Sequence, residues 1–226
     1  MKPVISPATI NRLPLYFRTL CLLLEDGQKV ISSAEFSRRL DVTVTPEQIR
    51  KDLASFGQFG KYGVGYYVRD LAKTIDQLIG YHNCWSLIVI GLGNLGWSLI
   101  NYKKIAALGF RLQAIFDVDE AKVGKKINGI SVYHLNEMMV FSRENPIHIG
   151  VITVPEMEAQ KVANLLVKAG VRGIWNFTTQ RLNVPKGLWV VNEDFSIGLS
   201  NLSYHLSNSG IIPISDKYIL NKVSEG

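Results

Sequence analysis

The run VIGLGNLGWSLINY, residues 89–102, sets Gly91, Gly93 and Gly96 in the spacing G-x-G-x-x-G directly after the apolar stretch WSLIVI. Glycines so placed suit a strand turning into a helix: the first permits the turn, the second lets a pyrophosphate approach, and the third allows close packing. Leu92, Asn94 and Leu95 complete the turn, whose helix-start amides favour an anion. Alone the motif is weak, because glycine-rich turns are common. Twenty-one residues past Gly96, however, the apolar stretch FRLQAIFD ends in Asp117. A carboxylate there accepts hydrogen bonds from a ribose diol and repels a 2′-phosphate, which favours NAD(H) over the phosphorylated form. Thr153, Val154 and Pro155 end the strand-like IHIGVITV, at the sheet edge where such folds take ligands. For these three alone, a plain strand-to-helix junction is the simpler reading.

A parallel sheet must position these groups. WSLIVI reads as a strand buried on both faces. ISVY then LNEMMVF, IHIGVITV then PEMEAQKVANLLVKAG, GIWNF, and LWVVN before a last helix continue the strand and helix alternation. The predicted class is α/β, with a Rossmann-like doubly wound parallel sheet over residues 83–193. The last helix, residues 194–208, carries apolar residues at Phe195, Ile197, Leu199, Leu202 and Leu206, which suits packing on a second subunit. Residues 209–226 form a polar tail of unread role.

The first third reads differently. Leu13, Phe17, Leu20, Leu23 and Leu24 recur at helical spacing, predicting a helix from about Asn11 to Glu25 that ends near Gly27. Ser32 with Glu35, and Thr45 with Gln48, have the spacing of capping boxes for two short helices, with Pro46 suited to the first position of the second. GQFGKYGVGYYV follows as a glycine-punctuated hairpin, and Leu71, Ile75, Leu78 and Ile79 suggest a fourth helix. Helix, helix, basic helix and hairpin make a winged helix-turn-helix over residues 1–82. Gln48, Arg50 and Lys51 then lie near the start of a recognition helix and Lys61 in the wing, facing double-stranded DNA. The bland alternative is a solvated helix face.

The formal charge of +6 and a pI near 9.3 permit an anionic partner without requiring one. No 18-residue apolar run or secretion signal is present, which predicts no membrane partner and a cytoplasmic location. Cys21 and Cys84 are too few and too scattered for a disulfide scaffold. His82, His134, His148 and His205 have no catalytic or metal-ligand spacing, and little chain remains for a substrate domain. An NAD-dependent oxidoreductase with an N-terminal dimerisation module is therefore the alternative rather than the main reading. A regulator reading coenzyme A is a third, against which Asp117 argues.

The segments RLPLYFR, SSAEFSRRL, QIRKDLASFGQFGKYGVGY, GLGNLGWSLINY, IFDVDEAKVG, ITVP, NFTTQRLNVP and NEDFSIGL occur in this order up to about residue 208. Together they resemble the Rex family of redox-sensing transcriptional repressors. The resemblance implies a homodimer, not an enzyme, that binds operator DNA when NADH is scarce and leaves it when NADH rises relative to NAD+. It also implies a domain-swapped terminal helix. By this match the recognition helix falls on Gln48, Arg50, Lys51 and Asp52, and the wing on Lys61 to Gly65. Tyr62 stands where the family carries a second basic residue. An interdomain switch falls on Arg18, Tyr102 and Asp194, with Tyr102 and Phe195 beside the nucleotide.

Overall fold

Ser6 accepts the Thr9 N–H at 3.1 Å and Pro7 follows it, so the first helix begins by capping before its apolar stripe starts. In the computed structural model, which describes residues 5–61 and 63–209, this helix α1 spans Pro7–Glu25. It therefore starts earlier than the spacing from Leu13 suggests. Leu13, Tyr16, Leu20 and Leu23 form its buried face.

Helices α2 (Ser33–Arg39) and α3 (Pro46–Ala54) follow, capped by Ser32 and Thr45 as predicted. Neither cap completes the predicted box. The Gln28 side chain donates to Glu35, and Gln48 turns away from its cap to donate to Asp52 at 2.8 Å. Strands β1 (Val30–Ile31), β2 (Gly60–Lys61) and β3 (Gly65–Tyr67) form an antiparallel sheet in the order β1-β3-β2. The β2–β3 hairpin is the predicted wing. Gly65 is obligatory there: its φ is +103° and an added Cβ would lie 2.5 Å from the Ile31 carbonyl oxygen. Helix α4 (Val68–Ile79) packs along α1 over a core containing Phe36, Ile49 and Leu71.

Strand β4 (Trp85–Ile90) opens the second sheet, leading through the glycine turn into α5 (Asn94–Ile100). The remaining strands and α-helices are α6 (Lys104–Ala107), β5 (Phe110–Asp117), β6 (Lys126–Ile127), β7 (Ile130–His134), α7 (Met138–Glu144), β8 (Ile149–Ile152), α8 (Glu156–Lys168), β9 (Gly173–Asn176), β10 (Trp189–Asn192) and α9 (Ser196–Ser207). The sheet order is β10-β9-β8-β4-β5-β7-β6. Neighbours β10/β9, β9/β8, β8/β4 and β5/β7 run parallel. The expectation of a wholly parallel sheet is corrected at one edge, where β6 pairs antiparallel with β7. Two residues joined to β7 by Asn128 and Gly129, both at positive φ, are too short to show a periodicity.

The chain divides into two compact units, Met1–Trp85 with Lys104–Arg111, and Ser86–Lys103 with Leu112–Gly226. The predicted boundary at residue 82 lies just before this division. Nothing in the sequence marks residues 104–111 as part of the first unit. Within that unit the Tyr81 ring lies 5.6 Å from Phe17 and 5.9 Å from Phe110, and an added Cβ on Gly109 would meet the Tyr81 carbonyl oxygen at 1.9 Å.

Candidate nucleotide cradle and nucleic-acid interface

At the glycine turn the three glycines have different surroundings. Gly91 has φ +97°, and a Cβ there would lie 2.7 Å from the Thr153 carbonyl oxygen. A Cβ on Gly96 would lie 2.1 Å from the Gly91 carbonyl oxygen. On Gly93 it would meet nothing within 4 Å. Two glycines are thus fixed by protein packing, and the middle one fronts open space through which a phosphate could reach the backbone. Gly93 is also the N-cap of α5 and supplies no side chain to occupy the first amides. This fits the pyrophosphate of a dinucleotide.

Asp117 sits at the end of β5 with 8% exposure. Its Oδ2 accepts the Leu92 N–H at 2.6 Å, its Oδ1 accepts the Asp119 N–H at 2.9 Å, and the Lys122 ammonium lies 3.3 Å away. Burial pushes this carboxyl up, but the amides of Asp119 and Leu92 and the Lys122 charge outweigh it and lower the pKa, so the group stays ionised. Asp117 therefore braces the glycine turn in addition to any ribose role. Lys122 was missed in the sequence because nothing in DEAKVG marks it as a partner of the strand end.

Thr153 also supports the turn from below: its hydroxyl lies 2.9 Å from the Ile90 carbonyl oxygen and 2.7 Å from that of Gly91. Val154 has Cγ1 2.9 Å from the space a Gly91 Cβ would take, and Pro155 is the N-cap of α8. Leu92 is buried, Leu95 half-buried and Asn94 exposed. Trp97 faces outward with 51% exposure and does not crowd the turn.

Asp194 accepts the Ser196 N–H at 2.8 Å at the start of α9, and hydrogen bonding from Ser196, through its side chain first and its N–H second, lowers the Asp194 pKa. Phe195 is mostly exposed, its ring 6.1 Å from Phe177. Tyr102 is exposed, and Arg18 pairs with Asp41. No residue of α9 is buried: Ile197, Leu199, Leu202, Tyr204 and Leu206 all present apolar surface to solvent.

In the first unit, Asp52 lies on α3 as expected but on its buried side. It does not face outward with Arg50 and Lys51 but is 1% exposed, ringed by four side chains from α1 and α3. Thr9 Oγ1 donates to it at 3.1 Å, Arg12 at 2.6 and 2.8 Å, Tyr16 at 2.7 Å and Gln48 at 2.8 Å. Burial pushes the Asp52 carboxyl up, and these hydrogen bonds together overcome that and bring it down to about 2. Gln48 is half-buried by the same arrangement. Arg50 and Lys51 are exposed, and Lys61 is exposed in the wing. Tyr62 and the tail from residue 210 lie outside the described residues. A cleft between wing and α3 is lined by Ser33, Arg50, Lys61, Gly63 and Tyr66 among others. No described helix is long and apolar enough to cross a membrane, and no described cluster of His, Cys, Asp and Glu could hold a metal.

Residues 4–54 match the family described as "Putative DNA-binding protein N-terminus", and residues 82–180 match the "CoA binding domain" family. A "Redox-sensing transcriptional repressor Rex" from Syntrophobacter fumaroxidans is 47% identical over 90% of this chain and 96% of its own length. The chain belongs to the Rex family. The Rex repressor of Caldicellulosiruptor saccharolyticus is 40% identical over 91% of this chain and 93% of its own. A solved Rex-family repressor, RSP, superposes with a TM-score of 0.82 at 38% identity, covering 91% of this chain and 95% of that one. RSP in complex with β-NAD+ and operator DNA superposes with a TM-score of 0.84 at 36% identity, covering 98% and 97%. RSP has also been solved in complex with β-NADH, at 36% identity and a TM-score of 0.82.

Proposed function

We propose that this Rex-family chain is a redox-sensing transcriptional repressor that binds operator DNA as a homodimer and leaves it when NADH occupies the glycine turn. The carrying observation is the open space in front of Gly93, in a chain whose other unit presents Arg50, Lys51 and Lys61 from a winged helix. Residues 1–82 hold the DNA, 83–193 the nucleotide, and 194–208 the partner subunit.

Lys51 and Lys61 contact phosphates and Arg50 contacts base edges or phosphate, while the buried Asp52 only sets the pitch of α3. Gly91 to Gly96 take the pyrophosphate, Asp117 the adenosine ribose, and Thr153 to Pro155 with Phe195 border the nicotinamide. The reduced ring is neutral and the oxidised one positively charged, so an apolar border favours NADH, because removing NAD+ from water costs more. NADH acts by binding the form that cannot span the operator more tightly than the form that can. Arg18, Tyr102 and Asp194 form the switch between subunits once α9 is covered by its partner. The protein catalyses no reaction and works in the cytoplasm.

The test is fluorescence anisotropy on a palindromic operator duplex at fixed salt, titrated with NADH, NAD+ and NADPH. Release by NADH at concentrations well below those of NAD+ is expected. Binding indifferent to all three nucleotides overturns the sensor, and NADH turnover with an added hydride acceptor would move the reading to the oxidoreductase.

A further inference from the structure

Arg50 is the basic residue of α3 with defined polar partners, and both of its terminal nitrogens are engaged. Nη1 donates to Ser33 Oγ at 2.7 Å and Nη2 to Glu47 Oε1 at 2.6 Å. Glu47 lies one turn before Arg50 on the same helix and its side chain is 74% exposed, so its carboxylate stands beside Arg50 on the same side of α3, the side proposed above to meet DNA. We propose that Glu47 is a specificity-determining residue which withholds Arg50 from non-operator DNA by competing with phosphate for its guanidinium.

The inference rests on the proposed DNA reading and deepens it. A phosphate offers Arg50 an exchange of one anion for another, in high dielectric, with a weak exposed ion pair on each side. A guanine edge offers two directed bonds at once, a larger gain than the exposed pair it displaces. The Glu47 contact is thus too weak to hold Arg50 back from its cognate base and strong enough to matter against an anonymous phosphate. Its charge also repels the duplex wherever Arg50 stays paired.

The test is Glu47→Gln, with wild type, Arg50→Ala and the Glu47→Gln/Arg50→Ala double variant alongside, on operator and random duplexes over a range of salt. Glu47→Gln is expected to bind random duplex about fourfold more tightly, from about twofold in each protomer. The slope of log affinity against log salt should steepen by about 2 per dimer as each freed Arg50 takes a phosphate. Operator affinity rises less, so discrimination falls. In the Arg50→Ala background the substitution should lose the part of its effect that runs through Arg50, including the steeper slope. An unchanged discrimination ratio overturns the proposal. So does a loss of operator affinity in Glu47→Gln, which would make Glu47 a base contact. Wild type that binds neither duplex defeats the DNA reading itself, a result distinct from both.

Discussion

The Arg12 guanidinium forks onto the Asp52 carboxylate, with Nε 2.6 Å from Oδ2 and Nη2 2.8 Å from Oδ1. Tyr16 and Thr9 of the same helix donate to that carboxylate, so α1 and α3 are joined through one buried charge. Removing one partner of such a pair leaves the other charge in place without its counterion. Asp52→Asn is expected to cost about 3 kcal/mol in urea unfolding and to weaken operator binding without touching DNA. Unchanged stability would remove the joint.

The same carboxylate has a pH signature. Its folded pKa of about 2 lies below the ordinary 3.8, so its stabilisation is full above about pH 5 and is lost as pH falls towards 2. That shift corresponds to roughly 2 kcal/mol. Wild type should lose this advantage over Asp52→Asn between pH 5 and pH 2, followed by chemical unfolding at each pH. Parallel curves would refute it.

Gly93 and Gly96 should respond differently to alanine. Gly96→Ala puts a Cβ 2.1 Å from the Gly91 carbonyl oxygen and should lower the melting temperature of the nucleotide unit by several degrees, through a loss of about 2 kcal/mol or more. Gly93→Ala meets nothing in the protein and should leave stability within about 0.5 kcal/mol while weakening NADH binding at least about tenfold. Calorimetry paired with NADH fluorescence titration separates the two effects.

Lys51→Ala and Lys61→Ala should each weaken binding to operator and random duplex alike. Each should reduce the salt slope by about 2 per dimer, one phosphate contact in each protomer. A change confined to the operator would mean that the lysine reads sequence.

Helix α9 exposes Leu199 and Leu202 by 69% and 60%. Leu199→Asp with Leu202→Asp should leave each unit folded and shift the protein from dimer to monomer in sedimentation velocity. A persistent dimer would place the interface elsewhere.

Both units were legible wherever local chemistry determined the element. Ser32 and Thr45 cap their helices, SLIVI is buried after a half-buried Trp85, and the glycine spacing carries the distinct surroundings expected of it. Contacts distant in sequence were not legible. Arg12 and Asp52 stand 40 residues apart, and in QIRKDL an aspartate beside two basic residues looks like part of a charged surface. Its burial goes with the hydrogen bonds that Thr9, Arg12 and Tyr16 of α1 make to it. Likewise Thr153 reads as a ligand-edge residue, whereas its hydroxyl supports the Gly91 turn 62 residues earlier. Strands β1 and β6, two residues each, fall below the length at which alternation has meaning.

The knot at Asp52 turns α1 into a tiller. Arg18 lies six residues beyond Arg12 on α1, about 9 Å further along the axis, on a helix whose Thr9, Arg12 and Tyr16 all donate to Asp52 of α3. In a dimer gripping half-sites about 34 Å apart, opposite rotations of about 5° in the two protomers move the recognition helices by about 3 Å relative to one another, close to the rise of one base pair. If the proposed switch pulls on Arg18, a deflection too small to disturb either core would put the grip out of step with the double helix.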